Sequence, residues 1–158
     1  MRPSITAFLK TLAFVMMATL ATPVSAQSAK LEAVEVRLFM RNTGEFSKDV
    51  LQMKDFGAWN NRANGSDFAE NSEFSDFLIR LVFSSPGGYQ SQQAIVRVTD
   101  GKKVLQTRSI TVNGSGEEPA RQYFGVYYTG LQADPLTIEV VFAGRVFKKQ
   151  ISLYAGGE

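Results

Sequence analysis

The chain has 158 residues, 44% of them hydrophobic and 20% charged, with 17 Lys+Arg against 15 Asp+Glu and neither Cys nor His. Lack of Cys excludes a disulfide framework, a thiol nucleophile and a thiolate metal site, and lack of His removes the Ser-His-Asp triad and the usual zinc sites. The near balance of charge withdraws electrostatic support from a nucleic-acid partner.

Residues 1–26 read as a removable export signal. Arg2 and Lys10 give a positive start, and the apolar stretch 12–20 follows. Pro23 then breaks a helix, and Val24-Ser25-Ala26 presents the small residues that a signal peptidase cleft accepts. The apolar run is shorter than the ~20 residues of a membrane span, which sets an uncleaved anchor aside. The expectation is cleavage after Ala26, before Gln27, of a bacterial export substrate. The mature protein would then be periplasmic or secreted, with no stable membrane insertion. Removing Arg2 and Lys10 leaves 17 − 2 = 15 basic residues against 15 acidic ones. Residues 27–158 are expected to form one domain. The core must hold without staples, and ten Phe, five Tyr and Trp59 supply it.

Strand signals recur from Leu31. Val34, Val36, Leu38 and Met40 alternate with Glu35, Arg37, Phe39 and Arg41, the period-two pattern of a half-buried strand. Asn42-Thr43-Gly44-Glu45 reads as a turn. Residues 49–56 suit a short strand better than a short helix capped by Ser47. Residues 57–75 read as an irregular loop, because Gly57, Asn60, Asn61, Asn64, Gly65 and Ser66 favour turns. Ser66 to Phe77 leaves room for one or two helical turns.

The second half is more regular. Phe77, Ile79, Leu81 and Phe83 alternate around Arg80, while Leu78 and Val82 make the other face apolar, as in a central strand. Ser85-Pro86-Gly87-Gly88 turns the chain. Ala94, Val96 and Val98 alternate with Ile95, Arg97 and Thr99. Asp100-Gly101 predicts a tight type I′ hairpin returning over Val104–Val112. Further strands follow at Arg121–Thr129, Leu136–Phe142 and Val146–Leu153, with Ala143-Gly144 as a turn. Consecutive hairpins and the scarcity of long amphipathic helices point to an all-β fold, an antiparallel β-sandwich of broadly immunoglobulin-like strand count, with a small barrel as the alternative.

Four constellations carry candidate chemistry. Asp67, Glu70, Glu73 and Asp76, with Asn64 and Asn71 nearby, supply the oxygen ligands that Ca²⁺ prefers, although the same spacing fits the wet face of a short helix. Tyr123 and Tyr127 flank Gly125 on one strand face, a flat aromatic platform with a gap, which Trp59 could join; such rings stack on sugars or pack on the sheet. Lys148-Lys149 with Arg145, and Lys102-Lys103, suggest edge strands protected from further pairing. Asn64-Gly65-Ser66 and Asn113-Gly114-Ser115 match the glycosylation tripeptide but read as turns. No nucleophile elbow or phosphate-binding loop appears, and no cofactor is implied. The expected function is non-enzymatic surface contact with an envelope protein. The alternatives are a carbohydrate or cell-wall binding module built on Tyr123, Tyr127 and Trp59, and, more remotely, a hydrolase using paired carboxylates.

Overall fold

The computed structural model describes residues 28–70, 72–88, 90–114, 116, 118–129 and 135–152. The export signal, its cleavage point and Leu153 lie outside these residues. Among the described residues there are nine strands: β1 (Lys30–Met40), β2 (Gly57–Trp59), β3 (Arg62–Asn64), β4 (Ser72–Ser85), β5 (Gln92–Asp100), β6 (Lys103–Val112), β7 (Ala120–Thr129), β8 (Leu136–Phe142) and β9 (Arg145–Ile151). A 3-10 turn spans Val50–Gln52. No helix of the described residues is long and apolar enough to cross a membrane.

Every strand pairing is antiparallel. One sheet runs β1-β4-β3-β2, with β7 also on β4; the other runs β6-β5-β8-β9. The sheets stay open and pack face to face, so the fold is a β-sandwich and the barrel alternative falls.

The alternation along β4 explains its place. Phe77, Ile79, Leu81 and Phe83 are fully buried, opposite Leu38, Val36, Val34 and Leu31 of β1. On the other flank they meet Tyr128, Val126, Phe124 and Gln122 of β7. Below them lie Ala94, Val96 and Val98 of β5 and Ile138, Val140 and Phe142 of β8, all buried in the same core. Phe83 and Phe142 meet edge-on at 4.8 Å between ring centres and bind one sheet to the other. Burying each such side chain contributes roughly 1.5–3 kcal/mol, which is how a chain without Cys holds together. Val82 is buried and Leu78 half-buried on the outer face, so the reading of β4 as a central strand stands.

Three local expectations need correction. Residues 50–52 form the 3-10 turn rather than a strand, because Asp49 accepts a hydrogen bond from Leu51 N (3.1 Å) and caps it. The segment 57–75 is not an irregular loop. Asn60 (φ 45°) and Asn61 (φ 59°) make a tight turn with both central residues left-handed, joining β2 to β3, and β4 begins at Ser72. Asn tolerates that conformation better than other non-Gly residues. The helical turns expected near Ser66–Phe77 are therefore replaced by a turn and then strand. Lastly, the β5–β6 hairpin turns on Gly101-Lys102, one residue later than expected, with Asp100 opposite Lys103. Positive φ there falls on Gly101 alone (54°), so the turn is not type I′. A second double left-handed turn lies at Ala143 (φ 48°) and Gly144 (φ 71°).

The two flanks of the sandwich differ. On one, β6 and β7 are joined by side chains: Gln106 Nε2 donates to Tyr127 O (3.3 Å), and Gln122 exchanges hydrogen bonds with the Asn113 backbone (3.2 and 2.7 Å). On the other, β1 and β9 are the edges. The upper half of the β1 edge is covered by residues 45–49. Met40 N donates to Glu45 O (2.9 Å), Leu38 N to Ser47 Oγ (2.9 Å) and Val36 N to Asp49 Oδ1 (2.8 Å). The lysine doublets do mark edges, since β6 and β9 terminate the second sheet.

Candidate binding surface

The outer face of β1-β4-β7 is set by register. Reading across β1, β4 and β7, the rows are Ala33-Val82-Tyr123, Glu35-Arg80-Gly125, Arg37-Leu78-Tyr127 and Phe39-Asp76-Thr129. Tyr123 and Tyr127 thus share one face, as their spacing predicts, and are 56% and 45% exposed.

Each ring is held by neighbours. The Arg80 guanidinium lies over the Tyr123 ring, 5.1 Å from its centre, within the range of a cation–π contact. Arg80 is itself steered by Glu35 (3.7 Å), whose carboxylate also takes Arg37 (2.8 Å). The Tyr127 hydroxyl donates to Asp76 Oδ2 at 3.2 Å. Partial loss of solvent, and then the Asp76 charge, hold the Tyr127 phenol above its ordinary value of 10.0. Phe46, 42% exposed, meets the Tyr127 ring edge-on at 6.5 Å and Phe39 at 5.4 Å.

The gap expected at Gly125 is filled. A Cβ built on Gly125 would lie 2.9 Å from Leu78 Cδ1, so the leucine side chain lies across the glycine. The surface is a continuous aromatic and aliphatic strip rather than two rings with a slot between them. The tyrosines were legible from β7 alone. Phe46, Phe39, Leu78, Arg80 and Asp76 were not assigned to them, although Phe39 and Leu78 stand at outward positions where a solvated face would carry polar residues.

Trp59 is 54% exposed but belongs to another part of the sheet. It lies on β2, which pairs with β3, and β3 joins β4 at Ser72 and Glu73. Tyr127 pairs with Leu78, five residues further along β4. The acidic series is likewise dispersed. Asp67 pairs with Lys48 (3.0 Å), Glu70 is exposed on a turn, Glu73 is the second residue of β4, opposite Arg62, and Asp76 serves Tyr127. Among the described residues no group of three or more Asp or Glu side chains is placed to share a metal ion.

The face therefore offers aromatic edges, aliphatic filler and anchored charges of both signs, a chemistry suited to contact. Comparison of the chain with protein-family models, with curated proteins and with solved structures returns no match.

Proposed function

We propose that the protein is an exported, non-enzymatic, immunoglobulin-like β-sandwich that acts by surface contact with an envelope protein, through the outer face of β1-β4-β7. One observation carries this reading: three exposed aromatic rings, Phe46, Tyr123 and Tyr127, lie on one sheet face among Leu78, Arg80 and Asp76. Tyr and Arg are enriched in protein interfaces, and rigid rings lose little entropy on binding. The chain crosses from one sheet to the other after β4, β6 and β7, and such crossings support the immunoglobulin-like description. The export signal read from residues 1–26 supports a periplasmic or secreted location.

The second reading, polysaccharide binding, draws on the same two phenols spaced four residues apart on β7, about 13 Å along the strand. Tyr123→Ala combined with Tyr127→Ala separates the readings. The double variant is expected to stay folded, since both rings are largely exposed. It should also lose a partner that the wild-type protein retains from a solubilised envelope fraction. Co-sedimentation with insoluble cell-wall glycan, lost in the double variant, would favour the polysaccharide reading. Undiminished retention of both kinds of partner by a folded double variant would sink the assignment of this face.

A further inference from the structure

The sandwich is unequal. Three of the first sheet's five strands, β7-β4-β1, lie over β6-β5-β8-β9, and β7 sits above β6, as the Gln106 contact fixes. Among the described residues, a fourth position beside β1, above β9, is therefore left over. Residues 45–52 occupy its upper half, with Val50 buried. The lower half is an open groove of about 530 Å³, lined by Lys30, Glu32, Val34, Phe142, Arg145 and Phe147 among others. Its volume falls within the roughly 300–1,000 Å³ of pockets that hold ligands.

Backbone direction gives the groove its chemistry. Val36, Leu38 and Met40 send their N–H groups away from β4, to Asp49, Ser47 and Glu45. The register is unbroken from Ala33 to Phe39, so the N–H and C=O of Val34 point the same way, into the groove. An edge with apolar flooring and a backbone donor and acceptor turned outward is a template for an added strand. Phe147, opposite buried Val140 and itself half-buried, faces the place that strand would take.

Charge selects the occupant. Lys30 and Arg145 line the groove with no ion pair among the described residues, whereas Glu32 is already held by Arg121 at 3.1 Å. By register, Arg145 and Lys149 stand on the inward row of β9, opposite Phe142 and Ile138. Inward cations on an edge repel basic strands, and a neutral strand would bury them without a partner. A second copy would bring its own Lys30 and Arg145 to the same place. We propose that the groove beside Lys30–Val34 takes an extended segment of another protein in which acidic and apolar residues alternate, added as a strand to β1. This site is separate from the aromatic face and does not depend on it.

Two blocked synthetic peptides test it: one alternating Glu and Val over six residues, the other alternating Lys and Val. Amide resonances of the full mature protein are followed during titration, with hydrogen exchange at the Val34 amide. The acidic peptide should shift residues 28–34 and 142–147 and slow exchange at Val34, and the basic peptide should do neither. Lys30→Glu with Arg145→Glu, both exposed, should weaken the acidic peptide about tenfold and reverse the preference. The proposal is overturned if the shifts fall elsewhere or nowhere, or if both peptides bind the wild-type protein equally. It is equally overturned if Val34 becomes protected with rising protein concentration alone, which would make a second copy the occupant.

Discussion

One carboxylate oxygen, Asp49 Oδ1, accepts from Val36 N at 2.8 Å and from Leu51 N at 3.1 Å, so a single side chain both closes the β1 edge and starts the 3-10 turn. Asp49→Ala leaves two backbone donors without their acceptor and should cost about 1–2 kcal/mol. Asp49→Asn keeps a carbonyl oxygen in place and should recover most of that. Urea denaturation of the three proteins measures the difference, and faster exchange of the Val36 and Leu51 amides in the alanine variant alone would locate it.

Ala143 holds a left-handed backbone (φ 48°) that its Cβ opposes. Ala143→Asn or Ala143→Gly should therefore stabilise the β8–β9 hairpin, by about 0.5–1 kcal/mol once the greater freedom of the unfolded glycine chain is subtracted. Ala143→Val should destabilise, because a branched side chain tolerates that region worse. A melting temperature lower for the asparagine variant than for wild type would contradict the strain assigned to this turn.

Gly125 and Leu78 should be energetically coupled, because the Cβ of an alanine at 125 would come within 2.9 Å of Leu78 Cδ1. Replacing a strand glycine by alanine ordinarily gains up to about 1 kcal/mol. Here Gly125→Ala alone should gain nothing or lose stability, whereas in a Leu78→Ala background it should stabilise. A double-mutant cycle reads the coupling, and additive effects would show that the leucine does not lie across the glycine.

Alkaline pH provides a separate handle. Loss of solvent and then Asp76 raise the Tyr127 phenol above 10.0, and burial followed by the Asp100 charge does the same for Tyr128. The folded state thus holds these protons more tightly than the unfolded chain. Their contribution is complete below pH 10 and is lost as pH rises from there through the folded-state values. Stability should fall over that range, and Tyr127→Phe should make the fall shallower. Urea midpoints collected from pH 8 to 11 for both proteins give the comparison, and identical slopes would count against the Asp76 contact.

Much of the fold was written in local pattern. The period-two runs of β1, β4, β5 and β8 depend on which face of each strand is buried, and the core uses the faces those runs predict. What local pattern lacks is the partner of each strand. Nothing in residues 120–129 says that they pair with β4 rather than with their chain neighbours, and that pairing sets Leu78 against Gly125 and Arg80 over Tyr123. The β2–β3 hairpin was missed for another reason. Its strands have three residues each, too short to show a period, and Asn60-Asn61 turns without the glycine that usually announces a left-handed hairpin. The acidic residues 67–76 share a sequence spacing but not a place, because the chain there passes from a turn into an extended strand.

The stitching of one flank by Gln106 and Gln122 has a mechanical consequence. Thermal breathing would open the two layers as a book opens, with the spine at β6 and β7 and the fore-edge at β1 and β9. Val34 and Phe142 would then meet water before Val126 does, and the earliest stage of melting would begin on the side where the layers are unmatched in width.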